Sequence, residues 1–172
     1  MTRAGDADFE LFVKAQSTQL LRFAEMLCGD RHHAEDLVQQ ALMRCYPKWH
    51  RLGDDPLRYV RRVVVNRFLS QARRRWSNEL PSDPVENDWD QRAVSDFAPA
   101  VQTRETVLAA LGALTVKERA VVVLRYSQDI SEAETATLLG IAAGTVKSTA
   151  ARALAKLRLS PDLIETSVGG QG

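Results

Sequence analysis

No run in this chain approaches the roughly 18 to 20 uninterrupted apolar residues that a membrane span needs. The opening "MTRAGDADFE" also lacks the basic-then-apolar order of a secretory signal. Both absences predict a cytoplasmic protein with no membrane insertion. Cysteine is scarce: Cys28 and Cys45 lie inside apolar helical patterns, which predicts buried, reduced thiols in place of a disulfide or redox pair. His32 and His33 are adjacent, so their side chains diverge on a helix, and nothing stands at ligand spacing to them; no metal is expected. Paired carboxylates, a nucleophile constellation and a phosphate-binding glycine loop are all missing, which leaves no catalytic residues and no cofactor to assign.

What the chain does have is charge sorted by position. The net charge is +1 over 172 residues, enough chain for one ordinary domain or two small ones. Residues 1–76 hold 14 Lys or Arg against nine Asp or Glu, residues 77–103 hold one against six, and residues 104–172 hold eight against seven. The acidic middle stretch carries three prolines and no apolar period. Its composition and its length predict a flexible linker between two bodies. The expected organisation is therefore all-α: a helical domain over 1–76, an acidic linker over 77–103, a second helical domain over 104–160, and a short tail over 161–172. Opposite charges on linker and flanking faces further predict a self-shielded monomer when the chain is free.

In the first body, Phe9, Phe12, Val13, Leu20, Phe23, Ala24 and Leu27 recur at steps of three and four, the spacing of one buried helix face. Gly29 stops that helix. A second pattern runs through Leu37, Val38, Ala41, Leu42 and Cys45, with Glu35, Asp36, Gln39 and Gln40 pointing elsewhere, until Pro47 kinks or ends it. Glu35 and Asp36 alone imply only a solvated helix start that suits the macrodipole. The third segment, "PLRYVRRVVVNRFLSQARRRW", is more specific. Leu57, Val60, Val64, Phe68 and Ala72 form one stripe, and Arg58, Arg62, Asn66 and Arg73 lie opposite, with Tyr59 beside them. Seven arginines without one acid exceed what solubility requires. Guanidinium forks match phosphate, so an anionic partner is expected, and Trp49, Tyr59 and Trp76 are candidates for stacking on unpaired bases.

Beyond the linker, "LTVKER" and "SEAE" each begin a helix with a hydroxyl and a glutamate three residues on, the reciprocal cap of a helix start. Gly140 ends the second of these helices, and a third starts about three residues later. A short helix, a glycine turn and a longer helix make a helix-turn-helix, although any two-helix corner has the same outline. The last helix separates the two cases. Val146, Ala150, Ala153, Leu154 and Leu157 form its apolar stripe, Thr145, Ser148, Thr149, Arg152 and Lys156 the other side, and Lys147 the edge, with no acid from Gly140 to Pro161. Gly144 and Thr145 would let backbone amides approach a phosphate, and short hydroxyl side chains allow entry to the DNA major groove. Neither Ala142 nor Ala143 is a good N-cap.

Taken in order, these segments resemble bacterial RNA polymerase sigma factors of the extracytoplasmic-function group, closest to an actinobacterial branch, over nearly all of residues 8–158. "AEDLVQQALMRCY" is similar to the family helix that docks on core RNA polymerase, and the resemblance implies that role for Glu35, Asp36, Leu37, Gln39 and Gln40. "RYVRRVVVNRFLSQARRR" is similar to the segment that opens and reads the promoter −10 element. That implies −10 contacts for Arg58, Tyr59, Arg62, Asn66, Arg73 and Arg74, with the loop "RLGDDP" cradling a flipped base. "LTVKER" and "GTVKSTAARALAKLR" resemble the domain that reads the −35 element, which implies DNA contacts for Thr145, Lys147, Ser148, Thr149, Arg152 and Lys156. Thr149 stands where many members carry arginine, and Tyr59 where tryptophan is frequent. The resemblance further implies promoter DNA as a partner and an anti-sigma factor as a second protein partner. Its rivals are a stand-alone helix-turn-helix regulator, which lacks a use for the separate arginine-rich body, and a plain interaction module, which does not need two cationic faces.

Overall fold

Gly29 and Asp30 set the first corner. Gly29 adopts a left-handed φ of 75° that closes the preceding helix, and the Asp30 carboxylate accepts the His33 amide at 2.6 Å to cap the next. The computed structural model describes residues 3–78 and 99–159, with side chains over 5–75 and 104–159. Residues 79–98 of the expected linker and the expected tail over 161–172 lie outside the described residues, and with them the expected self-shielded packing. The chain divides between Leu80 and Pro81 into two units. All described secondary structure is helical.

The first unit contains α1 (Arg3–Cys28), α2 (Arg31–Cys45), a 3₁₀ turn (Tyr46–Arg51) and α3 (Pro56–Asn78). Its core takes Leu20, Phe23, Ala24 and Leu27 from α1, Leu37, Val38 and Ala41 from α2, and Val60, Val64 and Phe68 from α3. Pro47, lacking an amide hydrogen, ends α2 and begins the tighter turn. That turn is clamped by rings: Trp49 packs on Phe9 and Phe12 with centroids 5.0 and 4.7 Å apart, and Tyr46 packs on Phe9 at 5.0 Å. The Tyr46 hydroxyl donates to Asp6 at 2.8 Å, a bond that holds the phenol above its ordinary range. Trp49 is thus a packing residue of α1 and the turn, which corrects its expected role as a base-stacking platform; the side chain of Trp76 lies outside the described residues.

The second unit contains α4 (Pro99–Gly112), α5 (Val116–Val122) continuing into a π turn (Val123–Ser127), α6 (Glu132–Leu139) and α7 (Ala143–Arg158). "LTVKER" supplies the joint between α4 and α5. Thr115 Oγ1 accepts the Glu118 amide at 3.2 Å while Glu118 Oε2 accepts the Thr115 amide at 3.0 Å. Arg119, only 4% exposed, donates through Nε to the Leu111 carbonyl at 3.0 Å and through Nη2 to the Leu114 carbonyl at 3.2 Å, satisfying acceptors left over where α4 ends. Ser131 caps α6 by accepting the Glu134 amide. Gly140 ends α6 at φ 66°, ψ 37°, a left-handed conformation that suits glycine, and its sharp reversal brings Val146 and Ala150 of α7 onto Val121 and Ala136. This is the expected helix-turn-helix.

Candidate nucleic-acid and partner interfaces

On α3 the carboxylate of Asp55 accepts the Arg58 amide at 3.0 Å, and Pro56 occupies the first turn, where its missing donor is harmless. The aspartate of the "RLGDDP" loop nearest the helix is therefore a cap. From this start Arg58, Arg62, Asn66, Arg73 and Arg74 emerge exposed and Tyr59 half-buried, as their spacing predicts. The structure adds a groove between α2 and α3 that the sequence reading missed: Gln40, Arg44, Arg62, Asn66, Arg67 and Arg74 all line it. No carboxylate lines it, and Arg67 Nε is buried with no hydrogen-bond partner. On another side of α3, Arg61 Nε is likewise buried and unpartnered; burial pushes that guanidinium down from its ordinary value against the opposing pull of Asp55. A groove rich in guanidinium donors and free of carboxylates suits phosphate oxygens. Arg44 was detectable in the sequence only as the residue one turn beyond Gln40. His33 closes one end of the α2–α3 contact, its Nε2 bonded to Gln71 Oε1 at 2.6 Å.

The outer face of α2 presents Asp36 and Gln39 to solvent, and Glu35 pairs with Arg31 at 3.1 Å within the same helix. Met43, 67% exposed, extends that face by a turn. Leu37 is a correction: it is fully buried among the three helices, so it supports the α2 face from within and presents no contact surface. Burial raises both thiols to about 11, so Cys28 and Cys45 are free, protonated cysteines at neutral pH. Among the described residues no cluster suited to a metal ion occurs, and no helix is long and apolar enough to cross a membrane.

On α7, Lys147, Ser148 and Arg152 are exposed and Thr145 is half-exposed, forming one polar face. A Cβ added at Gly144 would meet nothing within 4 Å, so the helix start is open to close approach. Ala142 makes no side-chain capping bond, as expected. One expected contact is corrected. Thr149 is 1% exposed: it follows Val146 by three and precedes Ala153 by four, which puts it on the inward stripe. Its hydroxyl lies 3.4 Å from Arg152 Nη2, a weak brace at the base of that arginine. Lys156 is exposed on the polar face, and its ammonium is bonded to Glu118 at 2.9 Å.

Two helical units, one with an arginine groove and one with a cationic helix-turn-helix, define a two-region DNA-reading architecture. The family model for Sigma-70 region 2 matches residues 12–78, and that for Sigma-70, region 4 matches residues 104–157. The chain is 39% identical to an RNA polymerase sigma-E factor of Streptomyces avermitilis over 88% of its own length and 83% of the relative's. It is 35% identical to the ECF RNA polymerase sigma factor SigM of Mycobacterium tuberculosis over 96% and 83%. Among solved structures it is similar to the sigma factor RpoE from Bartonella quintana, crystallised with the anti-sigma factor NepR, at a TM-score of 0.63 and 25% identity over 88% of this chain and 94% of that one. The chain belongs to the RNA polymerase sigma factors, within the ECF group.

Proposed function

We infer that this ECF sigma factor binds core RNA polymerase and directs initiation at promoters whose −10 and −35 elements it reads itself. The observation that carries the reading is the pair of cationic, acid-free helical faces, one in each unit, lying within the two matched regions. Seated on polymerase, the units present both faces to one promoter, and each binding event raises the effective concentration of the other. Arg58, Tyr59, Arg62, Asn66, Arg73 and Arg74 take the −10 strand, with Arg44 and Arg67 adding phosphate donors from the groove. Extruding a base from the duplex costs a few kcal/mol, which this face offsets. Thr145, Lys147, Ser148 and Arg152 read the −35 element. Glu35, Asp36, Gln39 and Gln40 contact polymerase, with Leu37 behind them. The domains span 1–76 and 104–160 about an acidic linker. The protein acts in the cytoplasm, without catalysis of its own, and an anti-sigma factor that covers these faces would silence it.

The test is in vitro transcription with purified core polymerase and this protein on a pool of promoter-containing DNA. Defined start sites that vanish when the protein is omitted are the expected result. Initiation that still requires another sigma factor would instead identify a stand-alone regulator.

A further inference from the structure

Beyond Ala153, no residue of α7 is fully buried: Leu154 and Leu157 are half-buried and the rest are exposed. The apolar cluster of Val121, Ala136, Val146 and Ala150 grips the first half of the helix, and Ala153 is the last fully buried residue along it. Past Ala153, a polar bond joins the partial burial of Leu154 and Leu157 in holding the last turns. Lys156 Nζ donates to Glu118 Oε2 at 2.9 Å, and the same oxygen accepts the Thr115 amide at 3.0 Å, so one buried carboxylate both caps α5 and tethers the last turns of α7. A charge-assisted bond to a buried acceptor is stronger than an exposed ion pair. Arg152 stands one turn before the tether and next to Ala153, so the tether bears on the helix immediately beyond it.

We propose that Lys156 is a positioning residue for DNA reading: through Glu118 it fixes the far half of α7 against α5, and it makes no phosphate contact. This rests on the reading of α7 as the −35 recognition helix. The two glutamate functions separate cleanly, because glutamine at the third helical position still accepts the Thr115 amide but carries no charge for the lysine.

The experiment uses holoenzyme on a promoter fragment selected in the transcription assay, with dissociation constants measured across a salt series. Lys156→Met and Glu118→Gln should each weaken binding by roughly tenfold, the size of one hydrogen bond to a charged group. The double variant should lose no more than either single one, and Lys156→Arg should restore binding. Discrimination at the base pair read by Arg152 should fall in both single variants, while the salt slope stays at the wild-type value. A slope lower by about 0.9 in Lys156→Met would make the lysine a phosphate contact and overturn the proposal. Unchanged affinity, or a loss in Lys156→Met that Glu118→Gln does not share, would overturn it equally. Wild-type holoenzyme indifferent to the −35 sequence would instead remove the reading of α7 on which the proposal stands.

Discussion

Thr135 sits at 0% exposure in α6, and its hydroxyl has no partner among the described residues. An unmet buried hydroxyl costs free energy, and valine has the same shape without it. Thr135→Val should stabilise the second unit by about 1 kcal/mol, read as a higher denaturant midpoint at unchanged slope. An equal or lower midpoint would mean that the hydroxyl is satisfied in solution. Gly144 makes the opposite trade. Alanine meets no neighbour there and restricts the unfolded chain, so Gly144→Ala should stabilise by about 0.4 to 1 kcal/mol. The same methyl group would stand between the helix start and a phosphate, so promoter affinity should drop even as stability rises. Affinity that rises with stability would show that DNA does not approach this turn.

At the scale of elements, the start of α5 carries a pH dependence. Burial alone would push the Glu118 carboxyl up, but the bonds from Lys156 and Thr115 outweigh it and hold the group below its ordinary 4.5. A carboxyl lowered on folding contributes stability that is complete above its unfolded value and lost as pH falls through the folded one. The stability gap between wild type and Glu118→Gln should therefore be widest near neutrality and shrink below about pH 4.5. A gap that holds constant on acidification would mean that the carboxylate is not lowered in the folded unit.

Much of this scale was legible in the sequence, for identifiable reasons. Gly29, Pro47, Gly140 and the Thr115 and Ser131 caps act through their own backbone neighbours, so spacing along the chain reveals them. Thr149 follows the inward period despite its polar type: its methyl group packs inward while its hydroxyl accepts from Arg152. Leu37 carried a partner role from resemblance although its own period already placed it inside. The α2–α3 groove and the Lys156–Glu118 bond were illegible because each joins residues from different helices. No local pattern records which turn of one helix meets which turn of another.

For the whole molecule the central quantity is charge held apart. Arg73 and Arg74 lie exposed in the last turns of α3, and Arg74 lines the groove. If they meet phosphates, removing either should weaken binding to all promoters alike and lower the salt slope by about one. Arg152→Ala should instead cost roughly 1 to 3 kcal/mol at a single base pair. Filter binding over a salt series on matched and mismatched fragments separates the two, and an unaltered slope would exclude the arginines from the interface.

The aromatic clamp around Trp49 also gives the molecule a built-in reporter. With Trp76 and Trp89 replaced by phenylalanine, indole emission would come from Trp49 alone, and that ring, packed on Phe9 and Phe12, would signal the state of the first unit. Emission followed beside far-ultraviolet dichroism, which sees every helix, would distinguish label-free whether the halves of this sigma factor melt together or in turn.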